Sequence, residues 1–142
     1  MYVPFYACRA AIKAMNQYVK GGVIVNNSSI SNLFGSRVGA PYTTTKHALL
    51  GLTKNIDATE DIYGKVRANV IVPGRVISEM PVKIAENKDK IDPIGTKTFG
   101  ETGHAIMTAT EQLANVALFL ASEESSSING AILAADGSWS VR

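Results

Sequence analysis

Tyr42 and Lys46 stand four residues apart in the segment PYTTTKHALLGL, and Ser29 lies thirteen residues upstream at the end of the apolar run VIVNNSS. On a helix, residues at i and i+4 share one face, which places an ammonium beside a phenol. A phenol has a reference pKa near 10, and bringing it to about 7 takes roughly 4 kcal/mol of preferential stabilisation of the phenolate. A neighbouring cation in a partly dry site supplies much of that, after which a tyrosine can give or take a proton near neutral pH. A serine hydroxyl at the carboxyl end of a buried strand could hold a substrate oxygen against such a phenol. These types and spacings suit proton transfer at a carbonyl or alcohol. Each residue also has a plainer reading: Ser28, Ser29 and Ser31 as turn residues capping local backbone, Tyr42 as a packed aromatic, Lys46 as a solvated helix lysine.

The elements that must carry these residues can be read from periodicity. Phe5, Ile12, Met15 and Val19 recur at roughly helical spacing, with Arg9 and Lys13 on another face, so residues 4–19 are expected to form an amphipathic helix ended by Gly21 and Gly22. Val23, Ile24 and Val25 form a short β-branched run without alternation, as in a parallel strand covered on both faces. Leu49, Leu52 and Ile56 mark the buried stripe of a helix over 40–62 that carries Tyr42 and Lys46, with Asp57, Glu60 and Asp61 at its polar end. Val70, Ile71 and Val72 predict a second strand, stopped by Pro73 and Gly74. Residues 75–107 have weak periodicity and many polar groups, among them Lys83, Glu86, Lys88, Asp89, Lys90 and Asp92. Thr108 and Glu111 match a capping box, followed by the apolar face Leu113, Val116, Ala117 and Leu120. A third strand is expected over 131–135, before Asp136 and Gly137. Strands alternating with helices imply an α/β fold with a parallel sheet and right-handed crossovers.

The segment VIVNNSSISNLFGSRVGAPYTTTKHALLGLTKN resembles the active-site region of classical short-chain dehydrogenases/reductases, a Ser followed by Tyr-x-x-x-Lys. RANVIVPGRVISEM is similar to the family's strand and Pro-Gly turn, carried by Asn69, Pro73, Gly74, Val76 and Ser78, and TEQLANVALFLASEESSSINGAILAADG is similar to its last helix and strand. MYVPFYACRAAIKAM resembles the helix before the Ser-bearing strand, and the Asn of the family's proton relay would fall just before Met1. The resemblance implies a partial Rossmann-like sheet of three strands and residues 1–142 as a single partial domain, the C-terminal half of the family's domain. It also implies NAD or NADP as cofactor, a small carbonyl or alcohol substrate, and a homo-oligomer.

The same resemblance implies roles residue by residue. Tyr42 would be the acid/base, Lys46 would tune the phenol and bond the nicotinamide ribose, and Ser29 would orient the substrate oxygen. Pro73 and Gly74 would shape the wall beside the nicotinamide, with the Val76 backbone and Ser78 hydroxyl facing its carboxamide. The region 75–107 would be the substrate-binding loop. Ser78 stands where the family usually has Thr, Ser138 where a second Gly is common, and Ile106 and Met107 where an Arg often precedes the last helix.

The family's first half is a βαβ unit whose glycine-rich turn receives the pyrophosphate. No G-x-G-x-x-G or related cluster follows a strand in these 142 residues. The chain is therefore expected to be a truncated member, inactive alone, with one edge of its Ser29-bearing strand left unpaired. Two functions of different class follow: an NAD(P)-dependent oxidoreductase, or a non-catalytic remnant acting as an interaction module. Serine-hydrolase chemistry at Ser29 is disfavoured because no G-x-S-x-G elbow surrounds it.

Composition excludes other classes. A net charge of +2 is too small to imply nucleic acid or an anionic membrane, and 46% hydrophobic with 18% charged residues is ordinary for a soluble α/β protein. Cys8 is the only cysteine, so no intramolecular disulfide or CxxC site exists, which suits a reducing cytoplasm. It reads as a packed helix cysteine rather than a nucleophile paired with His47 or His104. Neither histidine has partners at metal-ligand spacing. Arg9 and Lys13 interrupt the N-terminal apolar stretch, and no run approaches membrane-spanning length.

Overall fold

The computed structural model describes residues 1–35, 39–60, 65–79, 83, 86, 87, 90, 93 and 106–141. Among these residues three strands and three longer helices alternate: α1 (Tyr2–Met15), β1 (Gly22–Asn27), α2 (Ala40–Glu60), β2 (Val66–Pro73), α3 (Thr110–Ala121) and β3 (Ile132–Ala135). The sheet has the order β1-β2-β3, and both pairings are parallel. Gly22 pairs with Val66 and Asn27 with Ile71, while Val70 pairs with Ile132 and Pro73 with Ala135. All three strands therefore end on the same side, which is where an open parallel sheet presents ligand-binding groups.

β2 is the central strand, and Ala68, Asn69, Val70 and Val72 on it are fully buried. It is longer than its apolar run Val70–Val72, because the strand starts at Val66 and takes in Arg67 and Asn69. Those two polar residues face the loop after α3. The Arg67 guanidinium donates to the carbonyls of Ser122, Ser125 and Ile128 at 3.1, 3.1 and 3.3 Å. Asn69 donates from Nδ2 to the Ile128 carbonyl at 2.7 Å and accepts from the Ala131 N–H at 2.9 Å, filling the gap before β3 begins to pair.

On the opposite face, Ile24, Ile56, Val66 and Ala68 form a core with Cys8, against which Ala11, Ile12, Met15 and Leu52 pack. This corrects the expected stripe on the first helix. Cys8 is its buried residue, whereas Phe5 is 46% and Val19 97% exposed. The helix also ends at Met15, earlier than Gly21 and Gly22; Gly21 turns the chain at φ +66° with Lys65 backbone against it, and Gly22 already belongs to β1. Asn26, on the same face of β1, donates to the fully buried Thr53 of α2 at 2.9 Å, and Thr53 donates to the Leu49 carbonyl. A second cluster of Ile30, Val72 and Trp139, with Phe34 and Ile132, closes the carboxyl end of the sheet.

The start of α3 differs from the expected capping box. The cap is Ala109, and the Gln112 side chain reaches back to its N–H at 2.9 Å. Thr108 is instead drawn into a parallel bridge with Val76, and an alanine cap has no side-chain acceptor to complete the reciprocal pair. The predicted extension of the second helix to residue 62 lies outside the described residues, as do most of 80–105 and His104. Among the described residues, no helix is long and apolar enough to cross a membrane and no cluster of ligating side chains could hold a metal.

Candidate active site at the carboxyl ends of the strands

Ser29 follows β1 directly. With φ −169° and ψ 154° it is extended, and it caps the short 3-10 turn Ile30–Asn32 by accepting from the Ser31 N–H at 3.2 Å. Its hydroxyl also donates to the Ser31 Oγ at 3.3 Å, so the turn holds Ser29 in place, half-buried at the strand end. The capping role and a substrate-facing role are compatible, because a hydroxyl has one proton and two lone pairs.

Tyr42 and Lys46 lie on the first turns of α2. Ala40 and Pro41 open this helix, where a proline costs nothing because its missing N–H would have had no partner. The Tyr42 and Thr43 N–H groups close onto the Gly39 carbonyl at 3.1 and 3.2 Å. One turn on, the Lys46 ammonium sits 5.5 Å from the centroid of the Tyr42 ring, within cation–π range. It also donates to the Asn27 carbonyl at 3.0 Å. Partial burial lowers the Lys46 pKa from its ordinary value, because desolvation penalises the ammonium. The Tyr42 hydroxyl makes no hydrogen bond among the described residues.

The wall opposite is built from the end of β2. Pro73 is buried and Gly74 passes so close to the end of β3 that a Cβ on it would lie 2.8 Å from the Asp136 carbonyl oxygen and 2.9 Å from its Cα. Asp136 is fixed in turn, its carboxylate accepting from the Ser138 and Ser140 N–H groups at 3.0 and 2.8 Å. After Gly74, the Thr108 N–H donates to the Arg75 carbonyl at 2.8 Å and the Ile77 N–H to the Thr108 carbonyl at 3.0 Å. That pattern uses the residues on either side of Val76. The N–H and C=O of Val76 itself are unpaired among the described residues and point away from the bridge. Ser78 is exposed beyond it.

The structure thus gathers Tyr42, Lys46 and the Asn27–Ser29 strand end, and sets Pro73, Gly74 and Val76 at the neighbouring strand end. It does not join Ser29 to Tyr42 by a hydrogen bond among the described residues. Two residues have roles here that the sequence did not assign. Asn27 serves through its carbonyl, which no side-chain pattern reveals. Ser28 donates to the Lys46 carbonyl at 3.0 Å and accepts from Asn32 Nδ2 at 2.9 Å; the faint signal was two adjacent serines at a strand end with an asparagine four positions on. Cys8 is buried as expected. Its thiol pKa is raised by burial, against a weak opposing hydrogen bond to Asn26 Oδ1 at 3.6 Å, and His47 is engaged elsewhere, with its Nδ1 2.9 Å from the Thr43 carbonyl.

The nicotinamide half of a dinucleotide fits this donor set. A ribose hydroxyl can accept from an ammonium that has spent only one of its three protons, and a carboxamide, being donor and acceptor at once, matches the open N–H and C=O of Val76.

A sequence profile of the family described as enoyl-(acyl carrier protein) reductase matches residues 1–140. The chain is 34% identical over 136 residues to 3beta-hydroxysteroid dehydrogenase 2 of Eggerthella lenta, covering 96% of this chain and 51% of that protein. It is 36% identical over 138 residues to the A-factor type gamma-butyrolactone 1'-reductase (1S-forming) of Streptomyces virginiae, covering 96% and 52%. Among solved structures, it resembles a 3-oxoacyl-[acyl-carrier protein] reductase with bound NAD from Brucella melitensis at TM-score 0.70 and 30% identity, covering 94% of this chain and 46% of that one. The chain spans about half the length of the curated relatives it matches.

Proposed function

Because this chain belongs to the short-chain dehydrogenase/reductase family, we propose that it carries the chemical half of an NAD(P)-dependent oxidoreductase site that interconverts a carbonyl and a secondary alcohol. The observation that carries this reading is the Lys46 ammonium held 5.5 Å from the Tyr42 ring beside the strand end bearing Ser29. Tyr42 gives its proton to the carbonyl oxygen during reduction and recovers it during oxidation. Lys46 stabilises negative charge developing on the phenol oxygen and bonds the ribose. Ser29 donates to the substrate oxygen, which requires its proton to turn from Ser31. The backbone of Val76 and the Ser78 hydroxyl hold the carboxamide against the wall of Pro73 and Gly74. The bound nicotinamide, NAD or NADP, supplies or accepts the hydride.

Residues 1–142 form one partial domain in this reading. Their sequence has no G-x-G-x-x-G, so in this reading the pyrophosphate would be held by groups outside them, and the 142-residue chain by itself is expected to be inactive. The test is turnover of simple ketones with NADH and NADPH, followed by nicotinamide absorbance, with the chain supplemented by a dinucleotide-binding half. Tyr42→Phe should lower turnover by about a hundredfold or more while leaving cofactor affinity nearly intact, since only the transferable proton is removed. Full activity in Tyr42→Phe would refute the assignment.

A second reading, a non-catalytic module that associates with itself or a partner, is favoured by one observation. Among the described residues the outer edge of β1 has no strand against it, and nearby α1 exposes Tyr2 (81%), Val3 (80%) and Tyr6 (57%).

A further inference from the structure

Lys46 is held twice by consecutive residues of one strand end. Its ammonium donates to the Asn27 carbonyl at 3.0 Å, and its own carbonyl accepts from the Ser28 hydroxyl at 3.0 Å. A lysine side chain has four rotatable bonds, so a single contact at its tip leaves the helix free to shift while the ammonium swings to follow. Two contacts, one at each end of the residue, remove that freedom.

Ser28 is suited to the second contact. It is 4% exposed, and its N–H donates to the Ile71 carbonyl at 2.9 Å, which ties it to the central strand. Asn32, 3% exposed, donates from Nδ2 to the Ser28 Oγ at 2.9 Å. That occupies a lone pair of the hydroxyl and directs its one proton to the Lys46 carbonyl. The Asn32 N–H in turn donates to the Ser29 carbonyl at 2.9 Å, so the turn that carries Ser29 and the helix that carries Lys46 are fastened through the same hydroxyl.

We propose that Ser28, oriented by Asn32, is a positioning residue that fixes the Lys46 ammonium relative to the Ser29 turn. It touches neither substrate nor cofactor and acts through Lys46. Its value for catalysis rests on the oxidoreductase reading above; the clamp itself does not.

The test therefore has an arm independent of turnover. In the 142-residue chain, side-chain 13C relaxation at Lys46 Cε should show a stiffer group than at exposed Lys20. Ser28→Ala should bring Lys46 toward the mobility of Lys20, and Ser28→Thr, which keeps the donor, should restore the wild-type value. Asn32→Ala leaves the hydroxyl but frees its direction, and should loosen Lys46 in the same sense by less. Should Ser28→Ala not fold, the wild-type comparison and Asn32→Ala decide. A Lys46 as mobile as Lys20 in the wild type, or unchanged in both folded variants, would overturn the proposal. With the dinucleotide-binding half supplied, Ser28→Ala should lower kcat by about tenfold to a hundredfold, as misplacement of a catalytic group by an ångström does, with KM little changed. Absence of wild-type turnover would remove the oxidoreductase reading, and the relaxation arm would still decide the role of Ser28.

Discussion

Gly74 and Gly51 offer the same substitution with opposite expected signs. At Gly74 a new Cβ would meet the Asp136 carbonyl oxygen at 2.8 Å, its Cα at 2.9 Å and its Cβ at 3.0 Å. These are contacts with backbone or with atoms next to it, and Asp136 is pinned by the two N–H groups its carboxylate accepts. Neither strand end can yield without breaking the Gly74 N–H to Ala135 carbonyl contact, already long at 3.4 Å, or the turn beyond it. Overpacking of this kind costs about 1–3 kcal/mol. Gly51 lies within α2 with nothing near its Cβ position, so alanine there should stabilise by roughly 0.5–1 kcal/mol through helix propensity alone. The two variants should thus differ by about 1.5–4 kcal/mol in urea denaturation at neutral pH, Gly74→Ala below the wild type and Gly51→Ala above it. On the proposed oxidoreductase reading, Gly74→Ala should also displace the wall that Pro73 forms and weaken nicotinamide binding once a dinucleotide-binding half is supplied. A Gly74→Ala chain as stable as the wild type would show that the two strand ends are not in contact as described, and the placement of the wall would fall with it.

Asn69→Leu removes the partner of the part-buried Ala131 N–H, while the Ile128 carbonyl keeps its hydrogen bond from Arg67; one stranded group predicts a loss of about 1–3 kcal/mol, and an unchanged urea midpoint would contradict it. Lys46 has a folded pKa lowered by desolvation, so the folded state releases this proton at lower pH than the unfolded chain. Its contribution to stability is fully present above the ordinary lysine pKa of about 10.4 and is lost as pH falls through the lower folded value. Urea midpoints across the alkaline range should rise more in the wild type than in Lys46→Met, and parallel curves would count against the burial of the ammonium. Among the described residues no strand pairs with the outer edge of β1, and such an edge should drive association. Sedimentation over a concentration series should show self-association, and a monodisperse monomer throughout would mean that the edge is protected.

The sequence by itself determined the α/β class, the order of the elements and the pairing of Tyr42 with Lys46. β-branched runs at Val23–Val25 and Val70–Val72, helical spacing at Leu49, Leu52 and Ile56, and the four-residue step from Tyr42 to Lys46 are local signals, set by the period of one element. What it could not express was which side of each element meets which neighbour. The first helix buries Cys8 rather than Phe5 and Val19 because only one narrow face reaches the sheet. Arg67 and Asn69 extend β2 although they are polar, because the carbonyls that satisfy them belong to a loop about sixty residues later. The cap of α3 slips to Ala109 because Thr108 pairs with Val76 across the chain. The same holds at the site. Tyr42 and Lys46 were legible as a pair, whereas the fastening of Lys46 to Asn27 and Ser28 depends on hydrogen bonds to backbone carbonyls. Every residue carries such a carbonyl, so only the packing of α2 against the end of β1 selects the two that are used.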